Sequence, residues 1–343
     1  MTDLFPIYQI EPNDRSGANT RNDSEGRFYK YWCNLPQLGR CLFKAAAPDG
    51  FTPEQLRLDG NEKVAAKLGQ LLGLPVAHTE LAVGYALELD TYLPGTLSID
   101  YTPSGAQILS GREFMSIVDP LYDVERLDGL DAYNVENVLK CLEENSVGLP
   151  PSWQPLPGIE TAADVMVGYL LFDAWISATD RHDENWELAL LEDGYLLCPT
   201  FDHGDSLGVK LSAEFGSIVD RAVSLENRFR DPKLIESCWW QNLTIDGRVK
   251  AVEISNIKAF TIAAQLRPVA ARIWLQQLNS IDLDDIARVF DRVPSERITN
   301  KKKLFAIDLL LFNHQQLTSA EMLNKFSNDR ISTIDSSDDL GVS

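Results

Sequence analysis

The sequence predicts an α+β chain, and three observations predict it. Two strand patterns, one helical pattern and a further extended stretch fill the first hundred residues. Helix-spaced apolar patterns dominate the remainder of the chain, and residues 161–177 are apolar on nearly every side. With 343 residues there is chain enough for one large domain or two lobes. A hydrophobic share of 44% and a charged share of 24% belong to an ordinary globular composition, not a disordered one.

In order along the chain, residues 11–26 are polar and turn-forming and read as an open loop. Strand patterns come next at 27–33 and 40–45, with 35–39 as the hairpin connection. Residues 61–72 place Val64, Ala65, Leu68, Leu71 and Leu72 on one helical face; Gly73 ends that helix and Pro75 opens an extended stretch to 83. A small α+β lobe over 1–101 is expected. The second lobe, 102–331, is expected to be largely helical, with patterns at 133–142, 161–177, 249–277, 283–292 and 303–317. Two short strand-like runs, 186–191 and 195–199, turn at Glu192-Asp193-Gly194, and 332–343 reads as a flexible tail.

Composition excludes some partners. Lys and Arg total 31 against 51 Asp and Glu, a net charge of −20. Such a surface repels phosphate backbones, so direct nucleic-acid binding is not expected, and anionic membranes are disfavoured as well. The first residues lack the basic and apolar regions of a signal peptide, and no apolar run reaches a membrane span. Five cysteines with no C-x-x-C spacing read as reduced, buried thiols, and the expected compartment is the cytoplasm.

Polar residues crowd where the buried helix ends, in Thr179-Asp180-Arg181-His182-Asp183-Glu184-Asn185. Asp and Asn suit turns, and Asp-x-x-x-x-Asn alone carries little information. Its context adds weight: seventeen residues after Asn185, beyond the hairpin, stands Phe201-Asp202-His203-Gly204. A loop Asp, an Asn five positions on and an Asp past a short hairpin form the layout used in phosphoryl transfer. The magnesium ions of a nucleotide triphosphate need hard oxygen ligands, which Asn185 and Asp202 would supply. Asp180 would accept or orient the proton of the acceptor hydroxyl. Lys44 ends a strand run and Glu62 opens the helix eighteen residues later, the spacing of a lysine–glutamate pair that positions ATP. Read singly, Lys44 is a solvated strand-end lysine and Glu62 a first-turn helix acid; the order of all four positions favours the site.

These residues resemble the HipA-like family of bacterial serine/threonine kinases, distant relatives of protein and phosphatidylinositol kinases. Asp180 to Asn185 is similar to that family's Asp-x-His-x-x-Asn stretch, Phe201-Asp202 to its metal motif, and Asn61-Glu62 to its helix after the ATP lysine. Gly26-Arg27-Phe28-Tyr29-Lys30 resembles its phosphate-loop Gly-x-x-x-Lys. The similarity covers about residues 20–215. It implies a bilobal protein-kinase-like fold, ATP and Mg2+ as cofactors, and transfer to a Ser or Thr hydroxyl of a protein, the enzyme itself included. Residues 97–101 fall where the resemblance puts the hinge, with Ile99 and Tyr101 beside adenine; an ordinary strand end is the equal alternative.

The loop before Gly26 is poor in glycine, and Ser24 lies near the family's autophosphorylation serine, with Ser16 and Thr20 as rivals. Longer members carry an N-terminal subdomain for which there is little room here, so such a module or an antitoxin-like partner is expected on a separate chain. His182 is read as a brace of the loop, and Asp173, amid apolar residues, as a buried carboxylate bonded to that loop. A metal phosphohydrolase built on His182 and Asp183 lacks further His ligands at suitable spacing. Trp239, Trp240 and Trp274 are read as core, and Lys301 to Lys303 as a solvated helix start. The alternatives are a non-catalytic pseudokinase and a small-molecule or lipid kinase.

Overall fold

Strands form where aromatic and β-branched residues alternate, and half of the described strands gather in the first sheet. The computed structural model describes residues 3–16, 28–48, 58–122, 133–209, 232–245 and 248–326. Five strands, β1 (Ile7–Ile10), β2 (Phe28–Leu35), β3 (Gly39–Pro48), β4 (Thr79–Ala86) and β5 (Thr91–Ile99), make a sheet of order β1-β4-β5-β3-β2. β1 runs parallel to β4; the other pairings are antiparallel. The β2–β3 hairpin turns over 36–38, and its register sets Lys30 opposite Lys44. Tyr31, Phe43, Ala82 and Leu97 fill one small core within this sheet. Helix α1 (Leu58–Leu71) packs on β3, β4 and β5, and Gly73, at φ 79°, ends it in the left-handed conformation that glycine adopts without cost.

Gly95 fixes how closely β5 approaches β3. A Cβ there would stand 2.2 Å from the carbonyl oxygen of Lys44 and 2.8 Å from the Phe43 ring. Only glycine fits this contact, which seats the strand carrying Lys44.

Helix α4 (Ala162–Ile176) is the centre of the helical part, and all fifteen of its residues are buried. Thr161 and Asp164 form a capping box at its start, and Ser177 ends it in the left-handed region at φ 53°. It contacts α3 (Val135–Glu144), α6 (Asn256–Leu266), α7 (Pro268–Asn279) and α9 (Asn300–Leu317). Trp274 is fully buried against it, with its indole N–H donating to the Asp164 carbonyl at 2.8 Å. Each such fully buried large side chain contributes about 1.5–3 kcal/mol. Helix α2 (Gly111–Val118), the short α5 (Pro232–Ile235), α8 (Leu283–Asp291) and α10 (Ala320–Lys325) complete the described helices.

Two features depart from the expectation of a mostly helical remainder. A second, three-stranded sheet pairs β6 (Gln107–Ser110) with the expected hairpin, β7 (Glu187–Leu191) and β8 (Gly194–Leu197). The segment 249–277 is not one helical run. It opens with β10 (Arg248–Ser255), paired antiparallel to β9 (Glu236–Ile245), and only then becomes α6 and α7. The reason is pairing: backbone hydrogen bonds to 236–245 outweigh the helical propensity of a short apolar run. Trp239 is fully buried and stacks on Tyr133 at 4.7 Å between ring centroids. The five cysteines are free, four of them buried. No helix among the described residues is long and apolar enough to cross a membrane. Ser24, Thr20, Gly26 and the tail 332–343 lie outside the described residues.

Candidate active site

The loop that leaves α4 is fixed by a buried ion pair. Asp173, on the last turn of the helix, is wholly buried, and a lone carboxylate there would cost several kcal/mol. Arg181 meets it with a fork, Nε donating to Oδ2 at 2.8 Å and Nη2 to Oδ1 at 2.7 Å. Its remaining arm, Nη1, donates to the carbonyl of Asn185 at 2.8 Å. One arginine thus joins the helix to both ends of the loop. The expected bond between Asp173 and the loop runs through this residue, which the motifs alone do not single out. A sequence signal for it exists, since a carboxylate in an apolar helix calls for a nearby cation.

Within the loop, Asn185 Nδ2 donates to the Asp180 carbonyl at 2.5 Å and to its Oδ2 at 3.2 Å. That commitment leaves Oδ1 of Asn185 as the amide atom able to face a cation. The Asp180 side chain is 42% exposed, open to an incoming group. His182 braces the backbone: its Nδ1 accepts from the Glu184 N–H at 3.2 Å, and its carbonyl accepts from the Asn185 N–H. Burial works against the charged imidazole, but Asp183, Asp180 and Glu184 outweigh it and hold its pKa above the ordinary value. Arg112 of α2 grips Asp183 with Nε and Nη2, each at 3.0 Å, and Tyr122 donates to the same carboxylate. Despite burial, His182, Arg112 and Tyr122 together hold Asp183 far below the usual carboxylate range. Neither Arg112 nor Tyr122 carries a recognisable sequence signal.

Asp202 comes from a different loop and meets Lys44 of β3. The Lys44 ammonium donates to Asp202 Oδ1 at 2.5 Å across 158 residues of sequence. Burial opposes both charges; the attraction between them prevails, raising the pKa of Lys44 and lowering that of Asp202. Glu62 and, across the hairpin, Lys30 add to the same field, on Lys44 and Asp202 respectively. The hydrogen bond of Lys44 therefore goes to Asp202, while Glu62 Oε1 stands 3.6 Å from Nδ1 of the buried His203. Asp202 occupies the left-handed region at φ 57°, which Asp tolerates better than most side chains.

The two loops are tied together. Thr179 donates through both its N–H and its hydroxyl to the Asp205 carbonyl, at 3.0 and 3.2 Å. Asn61, beside Glu62 on α1, donates to the carbonyls of Gly204 and Ser206 at 3.4 and 2.9 Å. The loop carrying Asp180 is also held from elsewhere in the helical part: Asn256 donates to the Ala178 carbonyl, Cys238 to that of Thr179, and Tyr133 to that of Arg181. Ile99 lies in β5 with its N–H bonded to the His78 carbonyl. The Tyr101 hydroxyl donates to Glu187 at 2.7 Å, and its ring lies 6.4 Å from that of Phe201.

Among the described residues, no group of three or more His, Cys, Asp and Glu side chains converges as a closed metal site. An ionised Asp202 and an amide oxygen from Asn185 suit magnesium bound to a nucleotide, because that ion takes few protein ligands and keeps phosphate and water oxygens.

No protein-family model and no curated protein matches the chain. Among solved structures, the Helicobacter pylori proinflammatory kinase CtkA is similar with a TM-score of 0.62 and 16% identity, over 95% of this chain and 98% of that one. The HipA toxin of Shewanella oneidensis MR-1, solved with HipB and operator DNA, gives a TM-score of 0.48 and 14% identity, over 94% of this chain and 70% of that one. The sheet, its packed helix and the helical remainder thus share their arrangement with CtkA, and the chain has the kinase-like α+β fold.

Proposed function

We propose that the chain is a HipA-like kinase that transfers the γ-phosphate of ATP, with magnesium, to a Ser or Thr hydroxyl of a protein. The observation that carries this reading is the meeting of Lys44 and Asp202, with the Asp202 loop tied through Thr179 and Asp205 to the loop of Asp180 and Asn185. A scaffold has no physical need for those polar groups on one set of linked loops.

In this reading the sheet-bearing lobe, 1–101, and the helical lobe, 102–331, flank the nucleotide. Lys44 and Lys30 offer cations to the phosphates, and the register places them side by side. Asp202 and the Oδ1 of Asn185 hold magnesium, which when bound neutralises charge on the transferred group. The backbone from Ile99 to Tyr101 borders the base. Asp180, half-exposed and held from behind by Asn185, orients the acceptor hydroxyl and takes its proton. His182 and Arg181 keep the loop in shape. The kinase-like fold supports the reading.

The test is intact-mass analysis after incubation with MgATP and candidate protein acceptors, the Asp180→Ala variant alongside. A phosphate-sized gain on the acceptor or on the chain itself, with wild type only, is expected. Transfer retained by Asp180→Ala would overturn the assignment of that residue. Absence of both transfer and nucleotide binding would overturn the function.

A further inference from the structure

A concavity lies apart from the Lys44–Asp202 cluster, where α1 passes α8, and shares no lining residue with that cluster. It has a volume of about 460 Å³, within the range that small-molecule sites occupy. Phe5, Leu71 and Val289 give it an apolar wall, and Lys67, Arg288 and Arg292 bring three cations to it. Arg288 and Arg292 are one helical turn apart, so they share a face of the same helical segment. In a chain with 51 acidic and 31 basic residues, three cations around one hollow run against the average charge.

The local balance can be followed group by group. Asp285, also in the lining, takes both Nε and Nη2 of Arg288, and the Asp282 carboxylate stands 3.6 Å from the same guanidinium, so this corner carries no surplus positive charge. Among the described residues, Lys67 Nζ meets only the neutral amide of Gln70, at 3.0 Å. Arg292 donates Nε to the Asp3 carbonyl and lies 4.4 Å over the Phe5 ring, again without a carboxylate. Among the described residues, Lys67 and Arg292 are thus the two cations of this hollow that no carboxylate pairs. Their field reaches Lys63, one turn back on α1: burial first, then repulsion from Lys67 and Arg292, push it down to about 8 against the pull of Glu80.

We infer that this hollow binds a small organic phosphate, a dianion with an apolar body, with the phosphate between Lys67 and Arg292 and the body against Phe5, Leu71 and Val289. Two cations bonded only to neutral groups can pair with a phosphomonoester dianion, and the apolar wall adds what inorganic phosphate cannot use.

Phenyl phosphate is the probe, titrated calorimetrically into the full chain beside inorganic phosphate. One saturable site is expected, weakened by added salt and binding inorganic phosphate more weakly. Lys67→Glu should weaken binding at least tenfold, and Lys44→Ala, in the other cluster, should leave it unchanged. Lys67 is a surface residue, and circular dichroism would confirm that the variant folds; Arg292→Glu is the second variant, for which the same loss is expected. No saturable binding, undiminished binding in both charge-reversed variants, or loss in Lys44→Ala instead of Lys67→Glu would each overturn the assignment. None of these readouts depends on the proposed kinase activity.

Discussion

Arg181 holds Asp173 with two nitrogens and the backbone of Asn185 with the third, so the exit of the buried helix and the far end of the polar loop are set by one side chain. Removing either partner strands a buried charge. Arg181→Met and Asp173→Leu should each destabilise the fold by about 3–5 kcal/mol, read as a shift in urea midpoint. The double variant should recover much of that stability, because the unpaired charge is gone, yet phosphotransfer should stay lost. Recovery of both together would show that the pair only supports the fold.

Lys44 and Asp202 make a different experiment. Asp202→Asn keeps the shape and removes the charge that raises the pKa of Lys44. Magnesium-dependent nucleotide affinity should fall at least tenfold in Asp202→Asn and in Lys44→Met, measured with a fluorescent ATP analogue. Unchanged affinity in both would place the nucleotide elsewhere.

Glu80 supplies a pH dependence. Its carboxylate accepts from the buried Lys63 ammonium at 2.7 Å and pairs with His78 at 2.8 Å; although burial opposes its charge, these partners lower its pKa from the ordinary 4.5 to about 2. The folded protein holds this group ionised where the unfolded chain begins to protonate it. Its contribution is therefore complete above about pH 4.5 and lost as pH falls towards about 2. Urea unfolding of wild type and Glu80→Gln should differ by roughly 2–3 kcal/mol near neutrality, and the gap should close across that window. A gap that widened with acid would contradict the assignment.

Gly95→Ala would drive a methyl group into the Lys44 carbonyl and the Phe43 ring. Overpacking of this kind costs about 1–3 kcal/mol, and here it should also displace β3. Thermal unfolding and nucleotide affinity should fall together. A lower melting point with full affinity would mean that the strand yields without moving Lys44.

Burial pushes the thiol of Cys33 up to about 12 and those of Cys41 and Cys141 to about 11. In native protein, Ellman's reagent should react first at Cys238, the one cysteine that is not fully buried. Rapid labelling of Cys33 or Cys41 would indicate that the first sheet opens readily.

Much of this arrangement is legible in the sequence because its signals are local. The apolar run of α4 and its polar exit loop stand next to each other along the chain, and the β2–β3 strands carry aromatics on either side of a turn. The features that escape are settled at a distance. β1 is four residues long with only Ile10 buried, too short for a pattern, and its partner β4 lies some seventy residues on. β10 reads as part of a helix until its register with β9 is known. The choice of Asp202 over Glu62 as the hydrogen-bond partner of Lys44 depends on how two loops and a strand meet, which spacing alone does not encode.

The carbonyls of Ala178, Thr179 and Arg181 are held by Asn256, Cys238 and Tyr133, and Asn313 reaches the carbonyl of Trp175 just before them. Three of those four anchors lie beyond residue 215, in the stretch without recognisable motifs. A fragment cut at that point would therefore carry every signature residue and still lack the clamps that give them their geometry. The smallest working unit is defined by where the loop is fastened, and for this chain that boundary extends at least to Asn313.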